Sequence, residues 1–305
     1  MGQVTVVGSF MYDLVATVPR RPKTGETLVG NTFGMFLGGK GANQAIAASR
    51  AGSKVTMVGR LGNDFFGKQF LEKFSREGIN TDFVTQDDEN GTGVAMPLID
   101  ASGDNSIVII PQANMALTVE NINQAQSTIA DADVLVMQCE VPMDANQRAA
   151  EIAKQNDTLV ILNPAPAQLI PDQILKLVDI IIPNEIETET LTGLPTKTEN
   201  EVLVAGRNLL SKGVETVILT LGDRGSLLLN EDGEKLIPAF DVSVVDTTAA
   251  GDSFCGVLAA SLANGISINL SVEIANAAGA LAVTKLGAEP SLPQRDAIDD
   301  LLQSN

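Results

Sequence analysis

Apolar residues recur in two rhythms along the 305-residue chain. From Val134 onward, uninterrupted runs (VLVMQ, LVILN, IIIPN, TVILTLG, SLLLN) alternate with stretches such as 144–155 and 201–212, where apolar residues return every three or four positions. The short runs read as strands buried on both faces and the periodic stretches as amphipathic helices. This alternation predicts an α/β fold, a three-layer α/β/α domain around a mostly parallel sheet. Nearer the N-terminus, 4–7 and 55–58 read as two further strands and 42–51 as a small-residue helix. Two stretches break the rhythm. Residues 14–37 carry Pro19, Pro22 and Gly25 and then TLVGNTFGMF, and within 92–110 VAMPLID and NSIVIIP flank a turn at 100–105. Both read as strand pairs without a helix. They are either ordinary surface hairpins or one small β-sheet lid over the carboxyl-end cleft of the main sheet, with 1–13, 38–91 and 111–305 forming the main domain.

The stretch 246–264, DTTAAGDSFCGVLAASLAN, is where chemistry is most concentrated. Val242, Val244 and Val245 predict the end of a strand, and Phe254, Val257, Leu258 and Leu262 fall on one face of a helix that stops near Gly265. Between them Ala249, Ala250 and Gly251 have almost no side chain, so their N–H groups and the positive helix end can receive an anion. Asp252 follows in the first helical turn. It is either an ordinary N-terminal helix acid or a base that takes a proton from a hydroxyl attacking phosphorus.

Four other blocks lie at predicted strand ends, each open to a plainer reading. GGKGANQA at 38–45 offers backbone access, the charge of Lys40 and the two-way amide of Asn43, or is only a glycine-rich turn; it lacks P-loop spacing. Glu140, after VLVMQC, fits either a sugar hydroxyl or a helix end. Asn184 and Glu187 fit phosphate and hydrated Mg²⁺, and equally a capping box. The run 220–225 reads as a nucleotide loop or a hairpin turn.

Composition narrows the chemistry. The chain has no histidine, which removes serine–histidine and cysteine–histidine catalysis and ordinary zinc sites. Its net charge of −18 argues against nucleic acid or anionic membrane as partner, and an anionic ligand would have to be met by local amides, a few bases and Mg²⁺. No apolar run reaches membrane-spanning length and the two cysteines lack paired spacing, so a cytosolic protein without disulfides is expected.

In their order, GGKGANQAIAASRAG, VGRLGND, MQCEVP, LNPAPA, PNEIETE, ILTLGDRG and DTTAAGDSF resemble the signature blocks of the ribokinase family of carbohydrate kinases over nearly the whole chain. The resemblance implies transfer of the γ-phosphoryl of ATP to a sugar hydroxyl, O5 of D-ribose or 2-deoxy-D-ribose, with Mg²⁺. It implies Asp252 as base and Ala249, Ala250 and Gly251 as anion hole. Asp13, Gly39, Lys40, Gly41, Ala42, Asn43 and Glu140 are the implied sugar contacts. Asn184, Glu187, Thr220, Leu221, Gly222, Asp223, Arg224, Gly225 and Asn276 are the implied nucleotide contacts. Asp246, Thr248, Ala282, Lys285, Gly287 and Ser291 correspond to the oxygen cage of an activating K⁺. Where the family pattern has a sugar-binding Asn, this chain has Met11, as deoxyribose kinases of the family do. A homodimer is expected through the outer lid face, drawn from Val29, Phe33, Met35, Val94 and Met96.

Overall fold

The computed structural model describes residues 1–304. Its strands, in chain order, are β1 (Gln3–Val7), β2 (Met11–Thr17), β3 (Thr32–Gly38), β4 (Lys54–Gly62), β5 (Asn80–Asp87), β6 (Gly93–Ile99), β7 (Asn105–Ile110), β8 (Val134–Met137), β9 (Leu159–Leu162), β10 (Ile180–Ile181), β11 (Thr216–Thr220), β12 (Ser226–Asn230) and β13 (Gly233–Ile237). Nine of them form one sheet in the order β13-β12-β11-β10-β9-β8-β1-β4-β5, parallel from β11 to β5 and closed at the other edge by the antiparallel β12–β13 hairpin. The others form the small sheet β3-β2-β6-β7, in which β2 and β6 run parallel and the outer pairs antiparallel.

The helices are α1 (Lys40–Arg50), α2 (Phe65–Arg76), α3 (Val119–Gln124), α4 (Gln126–Ala130), α5 (Met143–Lys154), α6 (Asp172–Leu175), α7 (Glu185–Thr192), α8 (Glu199–Ser211), α9 (Ala250–Ala263), α10 (Ile268–Ala282) and α11 (Arg295–Gln303). Because strand side chains alternate, each apolar strand feeds two cores. Val134 and Val136 of β8 face one cluster, shared with α1, α2, α9, α10 and α11; Leu135 and Met137 face the other, shared with α3 through α8. The three predicted layers follow directly. Among the described residues no helix is long and apolar enough to cross a membrane.

The structure corrects two expectations. Residues 242–245 form no strand: Val244 and Val245 are exposed, and Val245 N bonds only the Val283 carbonyl beyond the end of α10. Their β-branched side chains carry strand propensity, but no neighbouring strand is there to pair with. Val94 shares by register the lid face of Phe33, Met35 and Met96, but its end of that face is buried in the main core; the exposed part of the face carries Phe33, Met35, Met96, Val108 and Ile110, while the exposed Ile107 and Ile109 of β7 lie on the opposite face. The small sheet also begins at Met11, so Met11 and Asp13 sit on a lid strand.

Candidate functional site

The carboxyl ends of β1, β8, β9, β10 and β11 meet the N-termini of α1, α7 and α9 around two adjoining clefts. A larger one of about 840 Å³ runs past Asn184, Thr220, Gly222, Asp223, Phe240 and Asn276; a smaller one of about 190 Å³ holds Lys40, Asn163, Glu187, Asp252 and Cys255. Gly251 and Thr247 line both, which puts the start of α9 at their junction.

That helix start is strained and open. Ala249, the N-cap, has φ 61°, a left-handed backbone that is costly for a residue with a side chain. Ala250 N reaches Thr247 O at a long 3.4 Å, while the N–H groups of Gly251 and Asp252 have no acceptor among the described residues. A methyl placed on Gly251 would meet nothing within 4 Å. These are the donors a bound anion would satisfy.

Asp252 is buried and held at both oxygens: Asn43 Nδ2 donates to Oδ2 at 2.9 Å and Gln44 Nε2 to Oδ1 at 3.0 Å. Asn43 Oδ1 is buried with no partner, an acceptor free for a ligand hydroxyl. Opposite, the Asp13 carboxyl is pushed up to about 7 by burial and by the neighbouring Glu140 and Asp252 charges. Glu140 accepts Lys40 N at 3.0 Å and the Ser9 hydroxyl on the same oxygen, Oε2, and burial raises its pKa as well. For Lys40, burial opposes the charge, but the surrounding Asp252, Glu140 and Glu187 carboxylates outweigh it and raise the pKa. Its side chain lines the small cleft beside Asp252, facing the open end of α9.

Of the GGKGAN block only Lys40 lines the small cleft; the buried Asn43 meets it through its bond to Asp252. Ala42 is fully buried and donates to Ser9 O; Gly41 N reaches Ser9 Oγ at 3.3 Å; Gly39, with φ 89°, lies against the Met11 backbone. These three therefore set how closely α1 packs on the end of β1.

Asn184 and Glu187 form a full capping box on α7: Asn184 N and Nδ2 donate to the two Glu187 oxygens at 2.8 and 3.0 Å, and Glu187 N donates back to Asn184 Oδ1 at 2.8 Å. Burial raises the Glu187 pKa. The pair still lines the small cleft, and a bridge between Asn184 and Thr220 sets β11 beside it. In the 220–225 run, Thr220, Gly222, Asp223 and Gly225 line the larger cleft. Leu221 is buried in the core and Arg224 turns away to pair with Glu185 at 2.7 Å. Asn276 lines the same cleft but donates to the Ile237 and Pro238 carbonyls, so it braces the wall as well as forming it.

Asp246 ties the two loops around the start of α9. Its Oδ1 accepts Thr248 N and Oγ1 at 3.0 and 2.7 Å, and its Oδ2 accepts Gly287 N at 2.9 Å. Burial pushes the Asp246 pKa up, but these bonds outweigh it and leave the carboxyl below its ordinary range. Ala282 O accepts Lys285 N, and the buried Ser291 hydroxyl donates to Ala288 O.

Four residues of the site were not anticipated from the sequence: Ser9, Gln44, Asn114 and Asn163. Asn114 Oδ1 accepts Phe10 N at 2.8 Å, its Nδ2 donates to Phe10 O at 2.7 Å, and the same nitrogen lies 3.8 Å from Met11 Sδ. The available signal was Gln44 itself, a large polar residue that with Asn43 interrupts a buried side of α1 otherwise built of Gly, Ala and Ile.

Comparison with known proteins gives the family. Residues 1–295 match the model of the pfkB family carbohydrate kinases. A ribokinase of Haemophilus influenzae is 41% identical over 98% of both chains, and a deoxyribokinase of Salmonella typhi is 36% identical over 99% of both. The structure of Arabidopsis thaliana ribokinase complexed with ribose and ATP superposes with a TM-score of 0.95 at 34% identity, covering 99% of each chain. The chain belongs to the pfkB family of carbohydrate kinases, phosphotransferases acting on a sugar hydroxyl.

Proposed function

We propose that the protein transfers the γ-phosphoryl of ATP to O5 of D-ribose, and also accepts 2-deoxy-D-ribose. The observation that carries this reading is the Asp252 carboxylate, held at both oxygens and set beside the unpaired amides at the start of α9. Phosphoryl transfer demands little covalent chemistry from a protein; it demands an oriented hydroxyl and compensation of the charge on the phosphoryl oxygens. Asp252 takes the proton of the attacking hydroxyl. The Gly251 and Asp252 amides, the weakly engaged Ala250 amide and Lys40 receive the transferred group. Asp13, Glu140 and Asn43 Oδ1 hold the other sugar hydroxyls, and the nucleotide lies along the larger cleft against Gly222, Asp223 and Gly225.

Mg²⁺ entering with ATP neutralises phosphate charge, a need made acute here because Asp13, Glu140, Glu187 and Asp252 crowd one basic side chain. Glu187 fits a role toward the ion's hydration shell, since each of its oxygens accepts only one bond within the capping box. The K⁺ reading is supported by an oxygen-only donor set, the Asp246 carboxylate with neighbouring carbonyls and the Ser291 hydroxyl, drawn together by the Asp246–Gly287 bond. A homodimer through the lid is supported by the exposed apolar row on β3, β6 and β7. Light scattering at micromolar concentration is expected to give twice the chain mass; a monomer mass refutes the dimer.

One observation favours deoxyribose. Met11 lies two positions from Asp13 on β2, hence on the same lid face, and offers a thioether where a hydroxyl partner would stand. A buried hydroxyl without a partner costs about 1–3 kcal/mol, or about 10- to 100-fold in kcat/KM. An ADP-coupled assay over a panel of pentoses tests the whole reading. We expect turnover with ribose and deoxyribose, a shift toward ribose in Met11→Asn, and lower rates when tetramethylammonium replaces K⁺ at matched ionic strength. Absence of sugar-dependent ADP release refutes the kinase reading; an unchanged sugar ratio in Met11→Asn removes Met11 from the sugar site; equal rates in the two salts remove the cation.

A further inference from the structure

We propose that Gln44 is a positioning residue for Asp252, and that the direction of its hydrogen bonds is dictated from deep in the main sheet. The Ile182 backbone carbonyl can only accept. Asn163 must therefore present its amide nitrogen there, at 2.9 Å, which turns its own carbonyl toward Gln44. Gln44 in turn presents its nitrogen, donating to Asn163 Oδ1 at 3.1 Å and with its second proton to Asp252 Oδ1 at 3.0 Å. The Gln44 carbonyl is left for Gln138 Nε2, which donates to it at 2.8 Å. Gln44 is fully buried with every donor and its acceptor engaged, so a flipped amide would oppose a carbonyl to a carboxylate and break three bonds at once.

This inference rests on Asp252 being the base. Asn43 holds the other oxygen from the same helix, so two consecutive residues of α1 fix the plane of the carboxylate, leaving acceptor capacity on each oxygen for a hydroxyl proton. Asn43 keeps a buried, unpartnered Oδ1 for the sugar in the proposed reaction, whereas Gln44 answers only to the protein interior. The charged and titratable groups that also face Asp252 are Lys40 on α1, Asp13 on β2, Glu140 after β8, Glu187 on α7 and Cys255 on α9 itself. Gln44 is neutral at every pH, so its substitution leaves that set of charges unaltered.

The test is steady-state kinetics of Gln44→Met, which keeps the length and removes the donors, measured from pH 5 to pH 9. We expect kcat to fall by about tenfold or more with the KM values for sugar and ATP within about threefold, because orientation and not binding is lost. A residue that only filled space would lower Tm and leave kcat in place at every pH, and that result overturns the proposal. If Gln44→Met does not fold, Gln138→Met frees the Gln44 carbonyl without removing its donors; a smaller fall in kcat at unchanged KM supports the proposal and an unchanged kcat overturns it. Asp252→Asn separates the two claims. It should lose at least about 100-fold in kcat; near-normal turnover there refutes the base itself, whereas an inactive Asp252→Asn beside a fully active Gln44→Met refutes only the role of Gln44.

Discussion

Two helices, α1 and α9, point their N-termini into the same cleft from glycine-containing turns, yet only one is open to a ligand. At α1 the donors are occupied from within: Lys40 N by Glu140, Gly41 N by the Ser9 hydroxyl and Ala42 N by Ser9 O. At α9 the Gly251 and Asp252 amides have no acceptor among the described residues, and the N-cap Ala249 is held in a left-handed backbone. The glycines differ in the same sense. A methyl on Gly41 would lie 2.4 Å from Ser9 N, inside the backbone of the β1–β2 connection, whereas a methyl on Gly251 would enter open space. A glycine-rich helix start is thus an anion site only when nothing in the fold already fills it. At α1 the same chemistry anchors the Glu140 carboxylate.

One substitution made at both places should break the symmetry. Gly41→Ala forces a methyl against main chain that has no side-chain freedom to yield, a cost of about 3 kcal/mol at the upper end of ordinary overpacking. Thermal unfolding should show Tm lowered by about 5 °C or more. Gly251→Ala should leave Tm within about 1 °C while lowering kcat/KM by about tenfold, because the methyl stands where phosphoryl oxygens approach. A stable Gly41→Ala enzyme, or a Gly251→Ala enzyme that is unstable and normally active, would reverse the assignment of the two turns.

What the sequence revealed, and what it hid, follows from the same contrast. The main-sheet strands were legible because burial on both faces leaves no room for polar residues, and the blocks 38–45, 184–187, 220–225 and 246–252 were legible because their chemistry is local. The edge strands β5 and β13 were missed: NTDFVTQD and GEKLI are polar or charged, as strands with one exposed face or edge can be. Residues 242–245 misled in the opposite direction, since Val242 and Val244 line the larger cleft and pair with no strand. Gln44, Asn163 and Ser9 were hidden because their partners lie 208, 119 and 131 residues away, at Asp252, Gln44 and Glu140 respectively, and no local pattern encodes such pairs. The occupied donors of α1 were hidden for the same reason.

The most direct test of the difference between the two helix ends is backbone amide NMR during titration with a magnesium complex of a non-hydrolysable ATP analogue, without sugar. The Gly251 and Asp252 signals should shift saturably downfield as their unpaired N–H groups acquire an anionic acceptor, while those of Gly41 and Ala42 keep their positions. Gly251 and Asp252 signals that stay in place at saturating nucleotide would contradict that difference.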